Sequence, residues 1–343
     1  MPRIALWLNR NYATTVHLID QLRNNPAGRE LTIYGSHKDL SSPVLAACDY
    51  RFAEPALTGR EYSDHALRFC EEHDVTVFLP VYEQHAVASR ADEFQASGVA
   101  LIAPSAASIA ILSDKAATYR AVGDDLDLVP PWREIGTADE FEAAVRDLSL
   151  GDRKLVVKPT RGVGATGVRI LTDTVPSLAH LTGPVTHAAG IQDFVGALKT
   201  AEAIGEEIPR LLVMPYLDEP EISVDVLASS GRTVAAVPRS KNGRDRSLDA
   251  PDGVLRAASH LVEKFALDGL VNVQFRMLDG HPVLLEINTR PSGGLYQTQL
   301  AGVNLAWAAV SQALGEPFEL PQPKLGARYV TVSSLVELVS EAE

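Results

Sequence analysis

The chain has 343 residues, enough for two or three compact units with sizeable cores. Apolar residues make up 46% of it and charged residues 22%, the proportions of a globular protein. With 31 Lys and Arg against 44 Asp and Glu, the net charge of −13 argues against nonspecific binding to nucleic acid or to an anionic membrane, while leaving room for a local phosphate site.

From the N-terminus, strand and helix signals alternate. Residues 4–8 read directly as a strand, so no signal peptide is expected. Residues 14–22 have helical spacing, with Val16, Ile19 and Leu22 on one stripe. A strand over 31–34 is closed by Gly35, a helix covers 62–72, and a strand over 75–79 is closed by Pro80. A helix over 87–94 and a strand over 99–102, closed by Pro104, follow. Strands separated by helices indicate βαβ units in a parallel sheet, which places ligands at the carboxyl ends of its strands. Those ends carry Asn9-Arg10-Asn11-Tyr12, Ser36-His37-Lys38 and Val81-Tyr82-Glu83-Gln84-His85. No GxGxxG follows the first strand, so the dinucleotide fingerprint is absent. His37 and His85 read as solvated loop histidines. Cys48 and Cys70 read as small hydrophobes, since two cysteines make neither a disulfide framework nor a zinc site.

Residues 105–150 are mostly helical. Ser113-Asp114-Lys115 opens or interrupts one helix, Pro130-Pro131-Trp132 breaks the pattern as a junction, and residues 141–148 are amphipathic. Residues 154–171 then read as strand, glycine-rich loop, strand. Gly162, Gly164 and Gly167 allow tight turns that bring backbone N–H groups to phosphate oxygens, and Lys158 at the end of the incoming strand adds a cation. The loop has neither the GKS/T nor the following helix of a Walker A motif, and a mobile β-hairpin is the alternative reading. Residues 186–208 look helical, with Glu202, Glu206 and Glu207 forming a solvated acidic patch.

Residues 211–217 are an apolar run broken by Pro215, which marks a strand end or crossover. Backbone groups of such a crossover suit the edge of an adenine ring; an ordinary connection between lobes is the alternative. A hairpin over 224–237 leads into the densest basic cluster of the chain, Arg239, Lys241, Arg244 and Arg246. Its sign suits an anionic ligand, and a solvated loop is the alternative. Residues 254–265 form an amphipathic helix. Two strands, 270–277 and 282–287, flank the turn Asp279-Gly280. Asn272, Gln274 and Arg276 share one face of the first. The second runs into Glu286-Ile287-Asn288-Thr289-Arg290-Pro291-Ser292-Gly293-Gly294. Glu286 and Asn288 are two residues apart and share a face, and Arg290 keeps their parity. A carboxylate and an amide oxygen are hard ligands suited to Mg2+ held partly by phosphates; a solvated strand end is the alternative. Residues 301–314 close the domain with a helix, and a last strand is expected over 329–335. No stretch approaches the ~20 apolar residues that span a bilayer, so a soluble cytoplasmic protein is expected.

In this order the motifs resemble the ATP-grasp superfamily of ATP-dependent ligases, over roughly residues 100–315. The runs Asn272-Val273-Gln274-Phe275 and Glu286-Ile287-Asn288-Thr289-Arg290 look most like the carbamoyl-phosphate-synthetase-type and pyrrolysine-pathway ligase domains, in which a Gln replaces the first metal carboxylate. The resemblance implies an α/β protein. A pre-ATP-grasp parallel α/β domain (1–112) precedes a two-lobed α+β ATP-grasp domain. Linker helices and a small lobe with a glycine lid occupy 113–213, and a C-terminal lobe with the metal and substrate site occupies 214–343.

The resemblance also implies roles. Lys115 takes the place of the basic residue that enters the ATP site from the linker helix, and Lys158 that of the strand-end base on the α- and β-phosphates. Gly162, Gly164 and Gly167 belong to the lid. Met214, Pro215, Tyr216 and Leu217 match the adenine crossover, although Met214 stands where an acid is usual. Glu221 matches an acid near the ribose. Gln274, Glu286 and Asn288 match the set that binds two Mg2+ ions, with Mn2+ as a substitute, and Arg290 the base that steadies the transferred phosphate. The expected function is an ATP-dependent carboxylate–amine ligase working through an acyl-phosphate on small molecules, with Arg239, Lys241 and Arg290 holding the carboxylate. The alternatives are a bicarbonate-activating carboxylase or carbamoylating enzyme and a non-catalytic nucleotide-binding module. A homodimer completes the expectation.

Overall fold

The structure is a computed structural model that describes residues 3–149, 153–162, 164, 166–173, 182, 186–217 and 220–332. The chain divides into two compact units. One comprises Met1–Ala110, Pro220–Phe275 and Ile287–Glu343; the other comprises Ile111–Glu219 and Arg276–Glu286.

The first unit opens with β1 (Ile4–Asn9), α1 (Thr15–Arg23), β2 (Leu31–His37), α2 (Pro43–Ala46), β3 (Tyr50–Ala53), α3 (Gly59–Glu72) and β4 (Val77–Leu79). Two short helices, α4 (Gln84–Ala88) and α5 (Ala91–Ala96), lead to β5 (Ala100–Leu101). The five strands are parallel, in the order β3-β2-β1-β4-β5. Both faces of β1 are buried, as a parallel sheet requires. Ile4, Leu6 and Leu8 share a core with Leu18, Ile19 and Leu22 of α1. On the opposite face Trp7 stacks on Phe78 at 4.1 Å, in a second core that holds Tyr62, Phe69 and Phe94. The expected single helix over 87–94 is split at Ser89-Arg90, where the Arg90 guanidinium turns to pair with Asp64 and Glu93. The strand β3 was not expected; it is an edge strand with an exposed Tyr-Arg-Phe-Ala pattern that lacks buried alternation.

The second unit contains α7 (Lys115–Val122), which follows α6 (Ala106–Leu112), then β6 (Arg133–Ile135), α8 (Ala138–Leu148), β7 (Leu155–Pro159), β8 (Arg169–Thr172), β9 (Ala188–Gly190), α9 (Ile191–Ile204) and β10 (Leu211–Pro215). Its sheet has the order β6-β10-β7-β8-β9, with β7 antiparallel to both neighbours. Phe141, Ala144 and Leu148 of α8 pack with Leu155 and Val157 of β7 and Val195 and Leu198 of α9. The segment 186–208, expected as one helix, begins with a strand, β9, and its helix ends at Ile204. Glu202 is not only solvated. Its Oε1 accepts the Ala138 N–H at 2.7 Å and, with the Thr137 hydroxyl, satisfies the open donors at the start of α8.

The third sheet contains β11 (Glu221–Ser229), β12 (Arg232–Asn242), β13 (Asp245–Ser247), β14 (Gly269–Leu278), β15 (His281–Asn288) and β16 (Arg328–Val330), in the order β15-β14-β11-β12-β13-β16. Helices α10 (Val254–Lys264) and α11 (Leu305–Ala313) belong to the first unit, where Leu305 and Val310 of α11 join the core of β1 and α1. The final strand ends at Val330 and pairs antiparallel with β13; Thr331 and Val332, expected to continue it, are not in a strand, and residues 333–335 lie outside the described residues. Among the described residues no helix is long and apolar enough to cross a membrane.

Candidate active site

In the second unit, β7 carries Lys158 into the interior. The residue is 8% exposed, and its Nζ lies 3.5 Å from the Leu285 carbonyl and 5.7 Å from the centroid of the Tyr119 ring. Burial, Lys115 and Arg276 together outweigh Glu286 and bring the Lys158 pKa down to about 8. Lys115, the first residue of α7, places its ammonium 3.2 Å from the Glu286 carboxylate and 3.2 Å from the Gly162 carbonyl. Lys158 therefore lies in the field of two further cations, Lys115 and Arg276, and one carboxylate, Glu286. Such a surplus of partly desolvated positive charge is incomplete without an anion.

Asp114 holds these parts together. As the N-cap of α7 it accepts the Ala117 N–H at 3.0 Å, while its other oxygen meets the Thr160 hydroxyl and the Arg161 guanidinium at 3.2 Å each. It thereby ties the start of the helix to the start of the glycine loop. Gly162, Gly164 and Gly167 all have positive φ, and a Cβ at Gly167 would fall 2.7 Å from the Pro159 ring. Glycine is required there by both backbone angle and space.

The crossover from β10 is largely spent on structure. Met214 is buried in the sheet beside Val156, with its sulfur 3.8 Å from the Tyr119 hydroxyl. It faces the core and has no polar group to offer a ribose. The Tyr216 N–H donates to the Lys154 carbonyl at 2.7 Å, and Arg276 donates to the Leu217 carbonyl.

In the first unit, strand register gathers several of the predicted residues. Across β12, β11 and β14 the pairings are Lys241 with Glu221, Arg239 with Ser223 and Gln274, and Val237 with Asp225 and Asn272. Directly paired residues share a face. Glu221, Arg239, Lys241 and Gln274 thus lie on one sheet face, around the fully buried Asp225. Asp225 binds Arg239 Nε at 2.6 Å, and its second oxygen receives Asn272 Nδ2 at 2.9 Å and the Ser292 hydroxyl at 2.7 Å. Burial works against the Arg239 guanidinium, but Asp225 raises its pKa on balance. Arg239 also donates to the Ser292 oxygen at 2.8 Å and to Gln297 Oε1 at 3.3 Å, and Tyr329 donates to the same Gln297 oxygen at 2.7 Å. A Cβ at Gly294 would lie 2.3 Å from Arg239 Nη1, so this bend admits the guanidinium only as glycine.

Gln274 gives its amide nitrogen to Asn272 Oδ1 at 3.2 Å, which turns its carbonyl oxygen outward from that bond. Arg290 stacks 4.7 Å over the Tyr12 ring, at the carboxyl end of β1. Beside it, Gln84 exchanges two 2.6 Å hydrogen bonds with Thr289. Loops of the parallel sheet therefore fix the segment that follows β15. Gln274 and Asn288 carry amide oxygens, and Glu286, in the second unit, a carboxylate; each is a hard donor of the kind Mg2+ takes. A cation, the Lys115 ammonium, already rests on Glu286. Among the described residues no group of three or more His, Cys, Asp and Glu side chains gathers as a metal site.

Sequence patterns do not single out Asp225, Ser292, Gln297 and Tyr329 as a network. The available signal is one acid within the apolar run Ile222-Ser223-Val224-Asp225-Val226-Leu227, where an unpaired carboxylate is costly.

Residues 207–335 match the family model for the ATP-grasp protein of a biosynthetic pathway associated with the Ter operon. With the ATP-grasp relatives and structures below, this match supports an ATP-grasp superfamily ligase. It is 21% identical over 255 residues to the arginine-specific large chain of carbamoyl phosphate synthase from Bacillus subtilis, covering 74% of this chain and 24% of that one. It is 30% identical over 219 residues to human carnosine synthase 1, covering 57% of this chain and 25% of that one. The chain thus spans about a quarter of the length of these relatives. Its ATP-grasp fold is similar to D-alanine–D-alanine ligase from Bacillus anthracis solved with ATP, at a TM-score of 0.60 and 14% identity, over 92% of this chain and 98% of that one.

Proposed function

We propose that this ATP-grasp protein is an ATP- and Mg2+-dependent carboxylate–amine ligase that acts on small molecules. The observation that carries the reading is the buried Lys158, with its pKa brought down to about 8 beside Lys115 and Arg276 and with Glu286 as the opposing charge. This is a site built for a polyanion. Lys115 and Lys158 take the ATP phosphates, Gly162, Gly164 and Gly167 cover them, and the Tyr216 carbonyl and Leu217 N–H meet the adenine edge. Gln274, Glu286 and Asn288 would hold Mg2+, which neutralises and orients the phosphates when bound.

In the proposed reaction a carboxylate oxygen attacks the γ-phosphorus of ATP in line, the bond to the β-phosphate oxygen breaks, and ADP leaves with its electron pair. An amine then adds to the acyl carbon, phosphate departs, and the amine loses a proton as the amide forms. Arg290 steadies the transferred phosphoryl group, and the bend after it offers the Gly293 N–H to the oxyanion, the Gly294 N–H being given to the Ser292 hydroxyl. Exclusion of water by the glycines Gly162, Gly164 and Gly167 protects the acyl-phosphate. D-alanine–D-alanine ligase, a structural neighbour, couples two amino acids by name, in keeping with this reading.

The test is ADP release with Mg-ATP against amino acids, dipeptides, other carboxylic acids and bicarbonate, with products followed by mass. A condensed product lighter by one water is expected, and Glu286→Ala should lower its rate at least ~100-fold, as for loss of a charge-stabilising group. ADP release driven by bicarbonate alone would replace the proposal with carboxylate transfer.

A further inference from the structure

The segment that follows α11 runs through the first unit to β16, and the ATP chemistry gives it no task. Its earlier part is fastened by the core and by backbone bonds. Phe318 and Leu320 pack on the core shared by β1, α1 and α11, and the Lys324 N–H donates to the Ala301 carbonyl at 2.9 Å. The Gly326 N–H donates to the Leu248 carbonyl at 2.7 Å, and the Leu248 N–H to the Ala327 carbonyl at 2.8 Å. Beyond Ala327 little apolar surface is buried. The strand β16 has three residues at the edge of its sheet, and Val330 and Val332 are 60% and 80% exposed. One side chain of the strand turns inward, that of Tyr329. Its ring rests on the core, and its hydroxyl ends among polar groups.

Strand register decides which groups these are. Tyr329 pairs with Arg246 of β13, and Arg246 pairs with Lys241 of β12. Directly paired residues share a face, so Tyr329 stands on the sheet face that carries Lys241 and Arg239. There its hydroxyl both gives and takes. It donates to Gln297 Oε1 at 2.7 Å and accepts from the Arg239 guanidinium. The guanidinium is a rigid plane, and its other partners lie at all three nitrogens: Asp225 at Nε, Ser292 at Nη2, and Gln297 at Nη1. The Gln297 contact is the longest of these, 3.3 Å, and Tyr329 bonds to both of its members. Ser292 and Gln297 belong to the chain just after β15. The plane of Arg239 and the course of the Ser292-Gly293-Gly294 bend are therefore fixed together. Burial raises the Tyr329 pKa against the pull of Arg239, so the phenol keeps its proton at neutral pH and remains a donor.

We infer that Tyr329 is a positioning residue for the ligase reaction: through Gln297 and Arg239 it fixes the bend that offers the Gly293 N–H to the oxyanion. It acts through these two side chains and not on the substrate. A tyrosine is needed because one atom must donate to Gln297 and accept from Arg239 at once. Phenylalanine keeps the ring on the core and loses both bonds. The Gln297 oxygen is then left with the long contact to Nη1, and the bend is free to shift. Displacement of a positioning group by about 1 Å is enough to slow a reaction ~100-fold. In its effect on turnover the inference rests on the ligase reading, whereas its effect on Arg239 is measured without turnover.

The experiment compares Tyr329→Phe with the unaltered full chain in two measurements. The first follows rotation of the Arg239 guanidinium by NMR of nitrogen-15-labelled arginine, with the Arg239 signals identified by their loss in Arg239→Met. Rotation should be at least ~5-fold faster in Tyr329→Phe, the worth of one hydrogen bond. The second follows ADP release and amide product with the carboxylate and amine that the unaltered chain condenses. Here kcat should fall at least ~10-fold, while KM for ATP stays within about 2-fold, because an interaction made in the transition state is lost and ATP is held by other residues. Unchanged rotation would overturn the inference whether or not an amide forms. Full kcat in Tyr329→Phe would overturn it as well. So would a lower melting temperature with a matching loss of ATP affinity, which would make Tyr329 a structural group. Failure of the ligase reading is told apart from these results because the unaltered chain itself would then form no amide.

Discussion

Replacing Lys158 with methionine is expected to weaken ATP binding roughly 10- to 150-fold, the worth of one charged hydrogen bond, while raising the melting temperature of the nucleotide-free protein. The two effects have one cause. Burial, Lys115 and Arg276 hold the Lys158 pKa at about 8, against the 10.5 of a free lysine. The unfolded chain therefore binds the proton more tightly than the folded one. The charged lysine costs the nucleotide-free fold roughly 3 kcal/mol below pH 8, and the cost disappears as pH rises towards the unfolded value. Methionine fills the same volume without the charge. Calorimetry at pH 7 and pH 10.5 checks the sign: the stability gain should be present at the lower pH and absent at the higher. A loss of stability at pH 7 would show that Lys158 is held by internal partners and does not await phosphate.

Asp225→Asn is expected to be the most destabilising isosteric change in the first unit. Asp225 is fully buried and faces three donors: Arg239 Nε, Asn272 Nδ2 and the Ser292 hydroxyl. An amide in its place removes the counter-charge of Arg239 and turns a donor towards donors. Breaking a buried pair in this way costs ~3–5 kcal/mol. At about 2–4 °C per kcal/mol for a unit of this size, the melting temperature should fall by roughly 6–20 °C. Removing both charges, in Asp225→Asn with Arg239→Met, should recover part of that loss, because no uncompensated guanidinium is left behind. The double variant should nevertheless lose turnover, since the Ser292 bend loses its anchors. A double variant no more stable than Asp225→Asn would mean that the hydrogen bonds of Asp225, and not its charge, hold the bend.

Much of the fold is legible in the amino-acid pattern. The apolar runs at 31–34 and 75–79 mark strands of the parallel sheet, because their side chains are buried on both faces, although the first continues through Gly35 to His37 where a stop at the glycine is expected. The alternation of Asn272 with Gln274 and of Glu286 with Asn288 follows from strand geometry alone. Weakly patterned elements are not legible in this way. The edge strand β3 is mostly exposed, and β9 consists of Ala188-Ala189-Gly190, whose small side chains fit a helix equally well. The Arg239 cluster reads in sequence as a loop of free cations. In the structure Arg239 is drawn onto an acid 14 residues earlier in the chain, a pairing set by the β11–β12 register. Partners distant in sequence, such as Tyr329 on Gln297 and Gln84 on Thr289, leave no local signature.

The central claim is that a carboxylate is activated by phosphorylation in this ATP-grasp site. The most direct test uses the carboxylate that drives ADP release, labelled with oxygen-18 in its carboxyl group, in a single turnover with Mg-ATP and amine. The account predicts one labelled oxygen in the released inorganic phosphate, because the carboxyl oxygen that attacks the γ-phosphorus leaves with it. Unlabelled phosphate, or AMP and pyrophosphate in place of ADP, would contradict it.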